Sequence, residues 1–351
     1  MNERAAYKMR RGARAGALAC AFACMCALLA GCAADGGLPA PVESVLSVVL
    51  PHGAVDEGDV PDLSLPDISG DDREVGGSIL ALERPVLITI HVFEDAISAI
   101  AEVEETDEGP TLIGTFVLDD ADRAAIMRVV DGWAASGRDC GFLLLDLSTG
   151  AGLAYHIDTE FYTASAIKGI NLCAISYYEP GVWQNFYGDI RAALVDSDNE
   201  SYETVFNEYS DYIPNQWRHR AHLGNQRTGR MYTNLTPREF AQLWCVNWDY
   251  LSRDNDVART LTDFMSRTYR SAFVSELGGR AGYAVCSKAG WEGSTHPTTC
   301  CEGGYITTSA GQYLLVIMTD RAGYPDETLS PLVDALDRAW WDYVPRRAKQ
   351  Y

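Results

Sequence analysis

The segment between residues 142 and 157 most constrains the fold, because it contains two short apolar runs on either side of a turn sequence. Residues 142–147 and 152–157 have the length and composition of strands, and Ser148-Thr149-Gly150 is typical of a tight turn. Before them, Asp119 or Asp120 can cap a helix that ends near Gly137. Its apolar face comprises Ile126, Val129, Val130 and Trp133. The sequence therefore predicts a mixed α/β domain that opens with a helix and a hairpin.

The next segment, residues 161–169 (Phe-Tyr-Thr-Ala-Ser-Ala-Ile-Lys-Gly), places Ser165 and Lys168 three residues apart. Residues at this spacing share one face of a helix. A serine hydroxyl is a poor nucleophile near neutral pH unless a base lies within hydrogen-bond reach, and a desolvated lysine can be that base. Ser165 and Lys168 are therefore a candidate nucleophile and base, although this spacing also occurs on many solvent-exposed helices.

Lysine is scarce in this chain, which makes the position of each one informative. Only four of the 28 basic residues are lysines, namely Lys8, Lys168, Lys288 and Lys349. Arginine stays charged and cannot act as a base, whereas a buried lysine can lose its proton. The two lysines away from the chain ends lie in Ser165-Ala-Ile-Lys168 and Lys288-Ala289-Gly290, and Ser197-Asp198-Asn199 lies between these motifs.

These three motifs, in this order, resemble the S-x-x-K, S-D-N and K-T-G signature of the class A β-lactamases and penicillin-binding proteins. The resemblance extends to the helix start at residues 233–240 and to the strands that follow Lys288, and it covers about residues 119–351. It implies a β-lactamase-like fold, in which an antiparallel sheet is flanked by terminal helices and joined by a helical subdomain. The cleft is expected where the two parts meet.

The resemblance also implies a role for each matching residue. Ser165 would be acylated, Lys168 would accept its proton, and Ser197 would relay a proton to the leaving nitrogen. Lys288 would assist Ser197 and lower the pKa of Lys168 by repulsion. The remaining candidates would bind the substrate. Asn199 would hold an amide side chain, Gly290 would leave space beside the strand edge, and Ala289 stands at the position of the family hydroxyl. The backbone N–H groups of Trp291 and Ser165 would form an oxyanion hole.

Three departures from the family pattern affect the function. Ala289 lacks the hydroxyl that would bind a substrate carboxylate, and the interval between Lys168 and Ser197 is about half the usual length. Trp183, Phe186 and Tyr187 could rebuild the missing cleft wall or could simply be core residues. Residues 199–233 contain no convincing Glu-x-x-x-Asn to hold a deacylating water; the glutamates present follow a helical spacing that is typical of a solvated face.

The N-terminus has the pattern of a lipoprotein leader. Basic residues precede an apolar stretch at residues 15–30, and Leu29-Ala30-Gly31-Cys32 resembles a bacterial lipobox. We expect residues 1–31 to be removed, and Cys32 to hold the protein to the extracytoplasmic face of the cell membrane. The alternative is an uncleaved membrane helix, but the apolar stretch is short and rich in alanine. The formal net charge of −21 opposes nucleic acid as a partner.

Residues 32–85 are rich in Gly, Pro and Asp, which predicts an acidic tether. Residues 86–118 contain two possible strands, residues 86–92 and 111–118, which would form a small β segment or an ordered end of the tether. The predicted catalytic domain then spans residues 119–351.

Six cysteines follow Cys32: Cys140, Cys173, Cys245, Cys286, Cys300 and Cys301. An even number in an exported chain suggests disulfides, although Cys173 and Cys245 could be buried thiols on helices. We predict one bridge from Cys286 to Cys300 or Cys301. Adjacent cysteines lack the spacing of a zinc site, and the resemblance implies no metal or other cofactor.

The sequence therefore predicts a membrane-tethered serine hydrolase or acyl-transferase that acts through Ser165 on a peptidoglycan peptide or a β-lactam-like small molecule. A catalytically impaired binding or sensor lipoprotein with the same fold is the alternative, favoured by Ala289 and the short interval before Ser197. A true β-lactamase is a third possibility.

Overall fold

A computed structural model describes residues 92–106, 109–209, 212–224, 231–294 and 297–347. The predicted leader, the lipidation site at Cys32 and the tether lie outside the described residues. Within them, no helix is both long and apolar enough to cross a membrane.

The centre of the fold is a six-stranded antiparallel sheet with the strand order β1-β3-β2-β8-β7-β6. Its strands are β1 (Thr111–Ile113), β2 (Cys140–Asp146), β3 (Gly152–Tyr155), β6 (Ala284–Glu292), β7 (Thr299–Thr308) and β8 (Gly311–Thr319). A separate pair joins β4 (Phe161–Tyr162) to β5 (Asn234–Leu235). Strand β6 is an edge strand, so one of its sides has no neighbouring strand in the sheet.

Helices cover both faces of the sheet. They are α1 (Val92–Ala101), α2 (Asp120–Ala134), α3 (Ile167–Tyr178), α4 (Val182–Arg191), α5 (Asn199–Tyr209), α6 (Tyr212–Arg220), α7 (Pro237–Leu251), α8 (Asp256–Met265), α9 (Ala272–Leu277), α10 (Pro325–Thr328) and α11 (Ser330–Arg347). A 3-10 turn, Ala164–Ala166, precedes α3, and a π-helix, Ala192–Asp196, follows α4.

The sheet separates two apolar cores, because successive side chains of a strand point to opposite faces. Leu143 and Leu145 of β2 face a core formed with the long helices α3 and α7. Phe142 and Leu144 face the other core, which contains the apolar residues of α2, α9 and α11. Helices α2 and α11 therefore pack on one face of the sheet, as the sequence predicted, and the helical subdomain packs on the other, together with α1.

Local sequence signals explain several of these boundaries. The side chain of Asp119 accepts a hydrogen bond from the Asp122 N–H at the start of α2. Thr236 and Glu239 form a reciprocal capping box at the start of α7. Strands β2 and β3 form the predicted hairpin, in which Phe142 pairs with Tyr155. The predicted start of α2 and the predicted hairpin are confirmed.

Residues 86–91 of the first predicted strand lie outside the described residues, and the structure corrects the prediction for residues 92–118 in two respects. Residues 92–101 form helix α1, and Ile97 and Ile100 are fully buried in the core shared with α7. Strand β1 is shorter than predicted and pairs with β3 in the main sheet. Arg238 of α7 donates hydrogen bonds to carbonyls at the end of α1, including Val103 O at 2.8 Å. The folded domain therefore begins at or before Val92, and not at residue 119.

The predicted disulfide from Cys286 to Cys300 or Cys301 is also wrong. All six cysteines within the described residues are buried free thiols. Cys286 pairs with Tyr305, whereas Cys301 pairs with Gly290, four positions further along β6. At about 3.3 Å per residue, that offset separates the pairs by roughly 13 Å, well beyond the Cα distance that a disulfide allows. The alternative interpretation of Cys173 and Cys245 as buried thiols is confirmed.

Candidate active site

Ser165 lies in a strained turn between β4 and α3. It is the middle residue of the 3-10 turn, and Ala164 before it has a positive φ of 42°. This left-handed backbone is unfavourable for a residue other than glycine. Ser165 itself is half-buried, whereas Ala164 and Ala166 are buried. The turn thus orients one partly accessible hydroxyl away from a buried backbone.

Thr163 anchors this turn on two sides. Its N–H and its hydroxyl both donate to the carbonyl of Thr233, at 3.0 and 2.7 Å. Its own carbonyl accepts hydrogen bonds from the Ala166 N–H at 3.0 Å and from the Cys301 thiol at 3.1 Å. The turn that carries Ser165 is therefore fixed both to the strand β7 and to the segment before α7.

Two glycines allow β6 to approach the nucleophile segment closely. A Cβ atom added to Gly290 would lie 2.4 Å from Ala166 N and 2.9 Å from Ser165 N. A Cβ atom added to Gly169 of α3 would lie 2.9 Å from the Cβ atom of Lys288. Only glycine leaves room for these contacts, so the β6 backbone at Gly290 lies directly beside the backbone N–H of Ser165.

Lys168 is fully buried one turn after Ser165, and its amine contacts the Ser197-Asp198-Asn199 turn. Its Nζ donates to Ser197 O at 2.6 Å, to Asn199 Oδ1 at 2.7 Å and to Asp198 O at 3.1 Å. Burial lowers the pKa of Lys168 to about 8, although the charges of Asp198 and Glu203 act in the opposite direction. The Ser-x-x-Lys and Ser-Asp-Asn motifs are thus in direct contact.

The Ser197 turn follows the π-helix and has an unusual backbone. Ser197 has a φ of 60°, in the left-handed region. Asn199, which begins α5, is exposed, and its Oδ1 accepts hydrogen bonds from both Lys168 and the hydroxyl of Tyr232, the latter at 3.1 Å. With its oxygen occupied, the amide of Asn199 keeps its N–H groups for a ligand.

Lys288 reaches the same turn from β6. Its Nζ, which is fully buried, donates to Ser197 Oγ at 3.0 Å and to Ala289 O at 2.8 Å. Burial, and secondly repulsion by Lys168, lower the pKa of Lys288 to about 7. Ser197 therefore contacts both lysines, with its carbonyl at Lys168 and its hydroxyl at Lys288. Repulsion contributes to the lowered pKa of Lys288, whereas burial accounts for that of Lys168.

The other predicted substrate-binding residues of β6 lie beside Gly290. Ala289 is fully buried and pairs with Glu302 of β7, so its methyl group does not face a ligand. The half-buried ring of Trp291 packs edge-on between Tyr269 and Tyr324, with ring centroids 6.1 and 5.8 Å away. Ala289 thus contributes its carbonyl to Lys288, and Trp291 belongs to an aromatic cluster at the end of β6.

No protein-family description matches this chain, and no curated protein matches it in sequence. Solved structures do match. A β-lactamase from Sphaerobacter thermophilus DSM 20745 superposes with a TM-score of 0.52 at 13% identity, covering 65% of this chain and 98% of that one. A β-lactamase from Chitinophaga pinensis DSM 2588 gives 0.51 at 14%, covering 64% and 99%. PBP-A gives 0.50 at 17%, covering 64% and 96%. The chain has the β-lactamase-like fold.

Within this β-lactamase-like fold, the aromatic residues of the short segment before Ser197 are packing residues. Trp183 is buried and contacts Tyr187 and Phe264, with ring centroids 5.9 and 6.3 Å away. Phe186 packs against Tyr209. These side chains fill the space between α4, α5 and α8. Trp183 is therefore a core residue, and Phe186 and Tyr187 are half-buried and pack against the same core.

The structure adds site residues that the motifs did not reveal. Tyr232 contacts Asn199, Tyr202 presents its ring 5.5 Å from Lys168 Nζ, and Thr163 and Cys301 hold the nucleophile turn. The carbonyl of Tyr162, which directly precedes Thr163, also lies 3.8 Å from the Cys301 sulfur. The residues just before Ser165 could have been suspected from their position, but Tyr232 and Cys301 carry no local signal.

A possible cation-binding group in the described residues lies apart from this cleft. The carboxylates of Asp119, Asp122 and Asp342 come within 4.8 Å of one another on the terminal helices. Arg346 pairs with Asp119 at 3.3 Å, and Arg338 lies 3.8 Å from Asp122. Burial raises the pKa of Asp122 to about 6. Arginines already balance this cluster, which explains it as a helix-end ion-pair network.

Proposed function

We propose that this protein is a serine hydrolase or acyl-transferase of the penicillin-recognising type, which forms an acyl-enzyme on Ser165. The observation that carries the proposal is the contact of Ser197 with both buried lysines, Lys168 at 2.6 Å and Lys288 at 3.0 Å, beside the strained turn of Ser165. Chance motifs would not converge on one residue in this way. A hydroxyl in contact with one lysine of lowered pKa, on a residue whose carbonyl contacts a second, is suited to proton transfer.

The substrate that we propose is an amide of a cell-wall peptide or a β-lactam. A variant of PBP-A, which superposes with a TM-score of 0.50, forms an acyl-enzyme complex with penicillin G. In this chain, the Ser165 N–H beside Gly290 would stabilise the oxyanion of such an amide. The exposed Asn199 would bind an amide group of the substrate. The edge of β6 would take the substrate backbone by strand addition.

We further propose that the protein works at the extracytoplasmic face of the cell membrane, attached through Cys32. The lipobox pattern and the Gly- and Asp-rich tether support this location. A Cys32→Ser variant that loses its lipid label and its membrane fraction, relative to the wild type, would support the anchor. A wild type without lipid would contradict it.

We propose that release of the acyl group is slow. Hydrolysis of the ester needs a positioned water with its own base. Glu200 and Glu203, the first acidic residues after Asn199, are exposed on α5. Neither hydrogen-bonds to Ser165 or Lys168 within the described residues. A missing general base slows a reaction about 10²- to 10⁴-fold, so the acyl-enzyme should be long-lived.

Intact-mass analysis after incubation with penicillin G tests the function. We expect one adduct on the wild type, none on Ser165→Ala, and an unchanged adduct on the control Ser201→Ala, which lies one turn along α5 from Asp198. Rapid turnover without an adduct would favour a true β-lactamase. The second candidate, a binding or sensor protein, is favoured by the burial of Ala289 where a substrate-binding hydroxyl is expected. Binding without an adduct, with β-lactams and acyl-peptides alike, would support that candidate.

A further inference from the structure

The two buried lysines of the site differ in how many acceptors they have. Lys168 Nζ donates to three oxygens at 2.6, 2.7 and 3.1 Å, one for each hydrogen of an ammonium group. A neutral amine has only two hydrogens, so it would leave one of these oxygens without a donor. The geometry around Lys168 is therefore that of a charged lysine with no lone pair to offer.

Lys288 has a different set of partners. Its Nζ contacts the carbonyl of Ala289 and the hydroxyl of Ser197, and no carboxylate forms an ion pair with it among the described residues. A carbonyl can only accept, but a hydroxyl can either accept from an ammonium or donate to an amine. The Ser197 contact at 3.0 Å thus suits both protonation states of Lys288, whereas the contacts of Lys168 suit only one.

Strand β6, which carries Lys288, also approaches the backbone of the nucleophile turn. Lys288 and Gly290 lie on the same face of β6, about 6–7 Å apart along the strand. A Cβ atom on Gly290 would lie 2.9 Å from Ser165 N. The Ser165 backbone therefore lies beside the face of β6 that carries Lys288, and the route proposed below requires the Ser165 hydroxyl to reach Ser197 Oγ in the substrate complex.

We propose that Lys288, acting through the Ser197 hydroxyl, is the base that accepts the Ser165 proton, and that Lys168 remains an ammonium group that holds the Ser197–Asn199 turn. The inference rests on the proposed acylation of Ser165. As the bond from Ser165 Oγ to the substrate carbonyl carbon forms, the Ser165 proton passes to Ser197 Oγ, and the Ser197 proton passes to Lys288 Nζ. The carbonyl electron pair moves onto its oxygen. When the oxyanion electron pair re-forms the carbonyl and the carbon–nitrogen bond breaks, the leaving nitrogen takes a proton from Ser197 Oγ, and Ser197 Oγ takes one from Lys288 Nζ.

The groups around each lysine are consistent with this division. Lys288 shares its face of the sheet with Lys168 from α3 and Cys301 from β7, and Glu302 of β7 lies on the other face. Repulsion by Lys168 lowers the pKa of Lys288, whereas Glu302 and Cys301 raise it. Lys168 faces Asp198 and Glu203 from the turn and α5, both of which raise its pKa. With burial included, the pKa of Lys288 is about 7 and that of Lys168 about 8. The lysine with the more favourable contacts for losing a proton also has the lower pKa.

The ionisation order can be measured on the full chain without any substrate. The sequence has only four lysines, so ¹³Cε-lysine labelling should give four resonances, which single lysine-to-arginine variants assign. We expect Lys288 to titrate at a lower pH than Lys168. The reverse order would overturn the inference, even if the acyl-enzyme forms as proposed.

A matched pair of variants tests the catalytic role. Arginine keeps the positive charge but cannot act as a base. We expect Lys288→Arg to acylate with penicillin G at least ~100-fold more slowly and to lose the rise of the rate with a midpoint near pH 7. Lys168→Arg should keep that pH midpoint and lose about 10-fold or less. A slow Lys168→Arg combined with a fast Lys288→Arg would overturn the inference.

The inference and the proposed function fail in distinguishable ways. A wild type that forms no adduct contradicts the function, and the lysine titration then still decides the ionisation order. If Lys168→Arg does not fold, the wild-type titration and the Lys288→Arg pH profile remain. A Lys288→Arg variant that keeps the wild-type midpoint overturns the inference on its own.

Discussion

The two faces of the β6–β7 strand pair each bury one ionisable group, and the hydrogen-bond partners of the two groups differ. On the cleft face, Lys288 contacts a single side-chain hydroxyl and the carbonyl of its neighbour Ala289. On the opposite face, Glu302 of β7 accepts hydrogen bonds from the hydroxyls of Ser271 and Ser287 and from the N–H groups of Ala272 and Phe273. Glu302 thus fixes the start of α9, whereas Lys288 keeps a partner that can exchange a proton.

Burial shifts the two groups toward the same pKa from opposite sides. It lowers the pKa of Lys288 to about 7 and raises that of Glu302 to about 7, despite the four donors that favour the carboxylate. Burial disfavours the charged form in both cases. The comparison shows that a shifted pKa alone does not identify a catalytic group.

The largest effect should come from closing the space on the cleft face. Gly290→Ala places a methyl group 2.4 Å from Ala166 N and 2.5 Å from Thr163 O, both of them backbone atoms that cannot easily move. We expect acylation to fall at least ~100-fold because the Ser165 turn is displaced, with a loss of about 1–3 kcal/mol in the free energy of unfolding.

The matched control, Ala289→Ser, adds one oxygen atom to the face of β6 opposite the cleft. In Ala289→Ser the new hydroxyl faces Glu302 and not the ligand, so acylation should change little. Acylation rates from mass spectrometry and urea unfolding measure both variants. If Gly290→Ala acylates at the wild-type rate, the reaction does not depend on the space that Gly290 leaves beside Ser165.

A second prediction concerns the folding stability that the protein loses because Lys288 is buried. Its pKa in the folded state is lower than in the unfolded state, so stability is greatest above the unfolded pKa and falls as the pH decreases from about 10 to 7. Lys288→Met removes this loss. As the pH decreases over that range, we expect the free energy of unfolding of the variant to rise relative to that of the wild type by up to about 1.4 kcal/mol per pH unit. The variant should also lose acylation. Urea unfolding at several pH values measures the gain, and a constant difference between the two proteins would argue against it.

Glu302 should show the opposite pH dependence, with a smaller net effect. Its pKa is raised in the folded state, so its contribution is complete below the unfolded pKa and is lost as the pH rises through about 7. At pH 5, Glu302→Gln should cost about 1–3 kcal/mol, because one acceptor is lost. The cost should shrink between pH 5 and 8. Glu203→Gln on the exposed surface of α5 is the control, and an equal pH dependence in both variants would contradict the assignment.

The smallest expected effect concerns the cysteines, which also divide between the two faces. Cys301 packs in the core on the α3 side and Cys300 in the core with α11. Because both are buried free thiols, reducing agent should leave the melting temperature unchanged, and iodoacetamide should label neither residue in the folded protein. A fall in melting temperature on reduction would reveal a bridge.

The sequence predicted the parts of the fold and site that depend on local patterns. The Ser165–Lys168 spacing, the caps and the β2–β3 hairpin each rest on residues a few positions apart. Helix α1 was missed even though Phe93, Ala96, Ile97 and Ile100 follow a helical period, because these residues lie between two predicted strands and were assigned to neither.

The contacts of the lysines could not be predicted in the same way. Two of the three acceptors of Lys168 are backbone carbonyls, and they point at the amine only because Ser197 has a left-handed backbone. Side-chain identity does not encode that geometry. The free cysteines likewise depend on the β6–β7 register, which becomes visible only when the strands are paired.

The left-handed Ser197 has a consequence for attempts to stabilise this protein by directed evolution. Glycine adopts a φ of 60° without the steric cost that serine carries, so Ser197→Gly should raise thermal stability slightly. The same change deletes the hydroxyl that contacts Lys288 and that we propose as the proton relay for Ser165. A screen that selects heat resistance alone would therefore enrich an inert protein at this position, and only a screen that also scores acylation would retain the serine.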